Sequence, residues 1–160
     1  MLPVGSPTGF VPDAPPSALT VGSLRHKSTA SRLDDEVSPF SSRGPTWIDF
    51  AAKPDVVAYG VGIESLSDPH STLYATYGAY LLNGTRNTAY KPYLSMSGTS
   101  MAAPVVTGTI ALMLEENPDL TPNAVKAILQ YTAETRDGEP VLAQGAGVVN
   151  ALGAVRMARF

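Results

Sequence analysis

The hydrophobic pattern of the chain centres on one long run without charge. From Met101 to Leu114 there is no Asp, Glu, Lys or Arg. The stretch from about Ser100 to Glu116 has the length of a helix rather than a strand, and Pro118 marks its end. A helix apolar on every face is buried, so the pattern predicts a central helix. Gly108 within it is unfavourable by about 1 kcal/mol against alanine. That predicts a neighbour packed closely against it. Three short apolar runs read as strands: Ser17–Gly22, Val56–Ala58 and Tyr93–Met96. Val56-Val57-Ala58 is apolar at successive positions, as a strand covered on both faces of a parallel sheet should be. Thr121-Pro122 is a capping residue followed by a proline suited to the first helical position. Val125, Ile128 and Leu129 then form one apolar face through about Tyr131, and Asn150 is placed to cap a last helix ending at Phe160.

Polar stretches separate these elements. Residues 1–16 are rich in proline and glycine and read as surface loop. Residues 24–36 end in Asp34-Asp35-Glu36 and read as a solvated turn. Clustered carboxylates also suit a hard cation, but their spacing matches no EF-hand loop. Between Ile63 and Tyr93 lie Tyr74, Tyr77, Tyr80, Tyr90 and Tyr93 among glycines and polar residues. This excursion either binds extended peptide or is an insertion that packs on itself. Asn83-Gly84-Thr85 satisfies the glycosylation sequon, which matters only in a eukaryotic secretory pathway.

Composition narrows the class. A chain of 160 residues with 44% hydrophobic and 16% charged residues has enough apolar material for one folded domain and is not disordered. A net charge of −3 provides no broad basic field for nucleic acid or anionic membrane. The absence of cysteine excludes disulfides, thiolate catalysis and cysteine metal sites. The apolar run is too short to span a bilayer, and Met1-Leu2-Pro3 does not open a signal peptide.

The chemistry sits at Ser97-Gly98-Thr99-Ser100-Met101-Ala102-Ala103-Pro104. Gly98 permits a tight turn. Ser100 falls at the start of the uncharged helix, where unpaired N–H groups and the positive end of the dipole favour negative charge. An oxyanion could be held there by the Ser100 N–H. Pro104 is expected within the first turn. The plain alternative is a serine at the end of a buried helix.

Ser97–Pro104 resembles the serine-nucleophile motif of the subtilisin-like serine proteases, the subtilases. Three further stretches are similar to segments of that family in the same order: Phe40-Ser41-Ser42-Arg43-Gly44-Pro45, Lys53-Pro54-Asp55-Val56-Val57-Ala58, and Gly145-Ala146-Gly147-Val148-Val149-Asn150-Ala151. Tyr59 stands where the family pattern has proline. The first two segments are read as structural, and neither Arg43 nor Asp55 as catalytic.

The resemblance implies an α/β fold with a mainly parallel sheet flanked by helices, the C-terminal part of a subtilisin-like three-layer domain spanning residues 1–160. It implies a serine endopeptidase acting on peptide or protein by acyl transfer, with Ser100 as nucleophile and its N–H in the oxyanion hole. Structural calcium and an extracellular location are family expectations. No cofactor site is identifiable from the residues.

The family order is Asp, His, Ser, yet Asp-[Ser/Thr]-Gly and His-Gly-Thr are both absent. The two histidines, His26 in Arg25-His26-Lys27 and His70 in Asp68-Pro69-His70, stand outside the expected context. Asp68 is close enough in sequence to orient His70. The chain is expected to begin just past the oxyanion-hole asparagine and to be inactive by itself. Its expected partners are a substrate and the missing N-terminal part of the domain. A non-catalytic peptide-binding or partner module remains the alternative. An α/β-hydrolase is excluded because no histidine follows Ser100.

Overall fold

The computed structural model describes residues 17–160; the stretch 1–16 read as loop lies outside them. Strands β1 (Val21–Arg25), β2 (Glu36–Val37) and β3 (Val56–Tyr59) form one sheet in the order β2-β1-β3. β1 and β3 are parallel, with Val21 opposite Val56 and Leu24 opposite Tyr59, while β2 returns antiparallel at Leu24 and Arg25. A second sheet is antiparallel throughout, in the order β4-β6-β5, from β4 (Ile63–Leu66), β5 (Leu81–Leu82) and β6 (Tyr93–Met96). The helices are α1 (Thr72–Thr76), α2 (Thr99–Glu116), α3 (Pro122–Thr132), α4 (Val141–Gln144) and α5 (Ala151–Ala158). The architecture is α/β.

β3 explains its own composition. Successive residues point to opposite faces of a strand. Ala58 joins a cluster with Ala102, Val106, Met113, Val125, Leu129, Ala154 and Ala158, contributed by α2, α3 and α5. Val57 joins a second cluster with Leu24, Val37, Ala143 and Val148. Both faces are therefore covered, as the apolar run predicts. Caps act where expected: Thr121 accepts the Ala124 N–H at 3.2 Å and Asn150 accepts the Gly153 N–H at 2.9 Å. The last helix stops at Ala158, two residues before the expected end.

Three expectations need correction. The first strand begins at Val21 and not at Ser17. The backbone before it is claimed by a buried ion cluster. Thr20 donates its N–H to the Asp55 carboxylate at 2.7 Å, and the Ala18 carbonyl accepts from the amines of Lys53 and Lys126, each at 3.1 Å. Second, α2 is not buried all round. Ala102, Val106, Thr109 and Met113 form its buried stripe, whereas Val105 and Leu112 are 37% and 50% exposed. Third, a Cβ built on Gly108 meets nothing within 4 Å, so no described element packs there.

The Tyr-rich excursion closes on itself. Ser67 donates its N–H to the Pro92 carbonyl at 2.8 Å, the Tyr74 hydroxyl accepts the Lys91 N–H at 3.2 Å, and the rings of Tyr77 and Tyr80 lie 6.4 Å apart. It is a hairpin built from β4 and β6 with an insertion folded against it.

Asp55 is only 6% exposed and sits between Lys53 at 2.8 Å and Lys126 at 3.0 Å. Burial by itself raises its pKa. The hydrogen bonds from Lys53, the Thr20 N–H and Lys126 outweigh that and hold the carboxyl below its ordinary value. A carboxyl with a lowered folded-state pKa adds stability above its unfolded-state pKa, and that stability is lost as pH falls through the folded value. Asp55→Ala leaves two ammonium groups without their counter-charge, so destabilisation of about 3–5 kcal/mol is expected in urea unfolding at neutral pH. The gap between variant and parent should narrow as pH drops below the ordinary carboxyl range; a gap that is small or independent of pH would refute the role.

Candidate active site

Ser100 is the second residue of α2, behind a Gly98 cap whose positive φ (φ 158°, ψ 164°) favours glycine. Its side chain is exposed. The N–H groups of Met101 and Ala102 both turn back to the Gly98 carbonyl, at 3.0 and 3.3 Å. The Ser100 N–H has no such acceptor among the described residues, so it is one of the free donors at the helix start. Hydroxyl and N–H thus belong to one residue at the positive end of an 18-residue helix. A serine oxygen that attacks a carbonyl there would generate its oxyanion beside an unpaired donor.

Pro104 falls one turn later than expected, inside α2. Its missing N–H is the one that would have reached the Ser100 carbonyl. The uncharged helix therefore begins with a looser ladder than its interior has.

The turn carrying Ser100 is seated on the exit of β3. Gly98 donates its N–H to the Gly60 carbonyl at 2.8 Å, and the Ser97 hydroxyl accepts the Gly62 N–H at 2.9 Å. Gly60 has no room for a side chain. A Cβ there would lie 2.5 Å from Ser23 Oγ, 2.6 Å from the Gly98 carbonyl oxygen and 3.1 Å from Ala102 Cβ. The pattern of residues singles out Ser100 but does not identify these supports. The available signal was a glycine directly after a buried strand.

Tyr59 is incorporated as the last β3 residue, opposite Leu24. Its hydroxyl donates to Asp35 Oδ2 at 2.6 Å, and its ring meets His26 edge-on at 6.0 Å. Burial, then the Asp35 carboxylate, raises the phenol pKa. Each carboxylate of the acidic turn has a local partner: Asp34 accepts from the Thr29 hydroxyl, Asp35 from Tyr59, and Glu36 pairs with Arg25 and Lys27. Among the described residues, no three His, Cys, Asp or Glu side chains are grouped to hold a metal ion.

Neither histidine is joined to Ser100 by a hydrogen bond. His26 Nδ1 accepts the Ser28 N–H at 3.1 Å, which leaves it in its own turn. Asp68 Oδ1 accepts the backbone N–H of His70 at 2.9 Å, so it bonds to the main chain and not to the imidazole.

Residues of the segments read as structural make contacts within the fold. Ser23 donates its N–H to Ser41 Oγ at 2.9 Å, and its own hydroxyl lies 3.0 Å from that of Ser38. Arg43 is exposed, outside this buried hydroxyl group. Gly145 adopts φ 63°, and a Cβ there would lie 2.2 Å from the Pro54 carbonyl oxygen. Glycine alone permits the Gly145–Asn150 segment to reach the entry of β3.

Comparison with known proteins identifies the family. Residues 3–153 match the subtilase family, and the chain belongs to that family. It is 45% identical over 141 residues to the serine protease AprX of Bacillus subtilis, covering 88% of this chain and 30% of AprX. It is 35% identical over 148 residues to the minor extracellular protease Vpr of the same organism, covering 88% of this chain and 16% of Vpr. Among solved structures it is similar to fervidolysin from Fervidobacterium pennivorans, with a TM-score of 0.65, 28% identity, and coverage of 88% of this chain and 19% of that one. The chain thus spans less than a third of these relatives.

Gly60→Ala should push the nucleophile turn off β3, because two of the three clashes involve Ser23 and the Gly98 backbone. Overpacking of this kind is worth about 1–3 kcal/mol. Hydrogen exchange should show faster exchange at the Gly98 N–H than in the parent. Unchanged stability with unchanged exchange would show that the turn does not rest on Gly60.

Proposed function

We propose that this chain is the nucleophile-bearing part of a serine endopeptidase, with Ser100 attacking the scissile carbonyl and its N–H stabilising the oxyanion. The observation that carries the reading is the exposed Ser100 at the start of α2, its N–H unpaired, in a turn clamped to β3. Family membership supports peptide or protein as substrate. The similarity to the minor extracellular protease Vpr supports an extracellular setting, and no described helix is long and apolar enough to cross a membrane.

Acyl transfer needs a base for the serine proton and a group that orients that base. Among the described residues, neither His26 nor His70 is hydrogen-bonded to Ser100. The chain by itself is therefore inactive and acts with the Asp- and His-bearing part of the domain as partner. The unburied stripe of α2 supports that pairing. Val105 and Leu112 are exposed on it, and a cavity of about 340 Å³ lined by Tyr59, Val105, Asn150 and Leu152 opens beside it.

A second reading is a module that binds peptide or partner without cleaving it. The absence, among the described residues, of a hydrogen bond from either histidine to Ser100 favours it. Mixing the chain with the remainder of the AprX catalytic domain distinguishes the two. Peptide hydrolysis should appear only in the mixture and should fall by on the order of 10⁶-fold with Ser100→Ala, the loss known for the serine of subtilisin. Efficient hydrolysis by the chain alone would refute its inactivity. Activity that survives Ser100→Ala would remove Ser100 as nucleophile, and binding without cleavage would establish the module.

Leu112→Asp gives an independent check on the pairing surface. Because Leu112 is half exposed, the variant should keep the parent's unfolding free energy in urea to within about 0.5 kcal/mol, as surface changes do. It should nonetheless lose activity in the mixture. Full activity in the mixture would place the partner elsewhere.

A further inference from the structure

We propose that Asn83 is a site of spontaneous modification, at which the backbone nitrogen of Gly84 attacks the Asn83 side chain and converts it to aspartate and isoaspartate. The reaction needs an asparagine amide that is not held, a following nitrogen that is not shielded, and a backbone free to bring them together. Asn83 meets all three. It is exposed, directly after β5. Among the described residues, neither its side-chain amide nor the Gly84 N–H makes a hydrogen bond. Gly84 has no Cβ to cover its nitrogen and the widest choice of backbone angles.

The bonds balance without an oxidant or a cofactor. The Gly84 nitrogen forms a bond to Asn83 Cγ and gives up its proton, and the amide nitrogen leaves as ammonia. The product is a five-membered cyclic imide. Water then adds to one of its two carbonyls and reopens the ring. Opening at one carbonyl gives aspartate; opening at the other gives isoaspartate, in which the main chain runs through the side-chain carbon. Either product makes the formal charge of −3 one unit more negative.

The other candidates are protected, each by a feature of its own. Asn117 precedes Pro118, which has no N–H, and its side chain bonds to the Ala158 carbonyl at 3.0 Å. Asn123 lies in α3, and the nitrogen after it donates to the Thr121 hydroxyl. Asn150 is held by the Gly153 N–H and by Glu134. Asn87 is followed by Thr88, whose branched side chain crowds the attacking nitrogen. Asp137-Gly138 has the right neighbour, but an ionised carboxylate is a far poorer electrophile than an amide.

The position gives the change a structural consequence. Leu82 pairs with Tyr93 at the start of β6, and a Cβ on Gly84 would lie 3.0 Å from the Tyr93 ring. β6 then runs directly into Ser97–Ser100. A new charge, or the extra main-chain carbon of isoaspartate, enters the loop that closes onto this strand.

The test is ageing of the full chain, made in bacterial cells, in mildly alkaline buffer enriched in heavy-oxygen water. Peptide mapping with isoaspartate detection reads the outcome. Asn83 should convert before every other site, take up one heavy oxygen, and do so at the rate of a free peptide spanning Leu82–Arg86. Isoelectric focusing should show an acidic shift of one charge, lost in Asn83→Gln and strongly slowed in Gly84→Ala. Conversion of Asn87 or Asp137 ahead of Asn83 would overturn the proposal. So would a native chain that converts Asn83 several-fold more slowly than the free peptide, since the loop would then be protecting the site.

Discussion

A carboxylate held away from water must be met by positive charge and hydrogen-bond donors, and Asp55 is met from three directions. Lys53 reaches it from two residues before it in the chain, Lys126 from α3, and the Thr20 N–H from the approach to β1. The same two amines also bind the Ala18 carbonyl. One small group of charges therefore joins the entries of β1 and β3 to α3. A buried ion pair is weak evidence for net stability, because desolvation offsets much of the attraction. It is strong evidence for position, since few other arrangements satisfy all the groups at once.

β3 is four residues long, so what is set at its entry is transmitted to its exit. At that exit lies Gly60, against which the turn preceding Ser100 is pressed. The candidate nucleophile is thus held by a short rigid strand, with an ionic anchor at one end and a backbone-to-backbone contact at the other. Its hydroxyl is left exposed and its N–H unpaired among the described residues, while the turn before it is hydrogen-bonded to Gly60 and Gly62. Sites that stabilise developing charge depend on donors already in place before reaction, which this arrangement provides.

Local features were legible in the sequence. The cap residues Thr121 and Asn150, the proline at the start of α3, the doubly buried Val56-Val57-Ala58 and the helix after Ser100 follow from nearest neighbours in the chain. Ser100 itself stood out because eight consecutive residues carry the motif. Features that depend on distant partners were not legible. The start of β1 shifted because Asp55, 35 residues away, takes the Thr20 N–H. The burial of α2 was overestimated because an apolar pattern records what a surface can bury, not what is packed on it. Gly60 and Ser97 were missed as supports for the same reason, since their role lies in each other's neighbourhood and not in their own.

The anchor at Asp55 also bears on how the fold responds to heat. Hydration of charged groups becomes less favourable as temperature rises, so the penalty for keeping a carboxylate and two ammonium groups inside the protein shrinks on warming. Hydrophobic stabilisation gains no comparable advantage. The junction of β1, β3 and α3 should therefore strengthen relative to its surroundings as the protein approaches its melting range. The hairpin of residues 63–93, held by short ladders and a tilted contact between Tyr77 and Tyr80, has no such reserve. Thermal loss of order would begin there and reach the ionic junction last, so the strand leading into Ser100 would loosen before the strand that seats it.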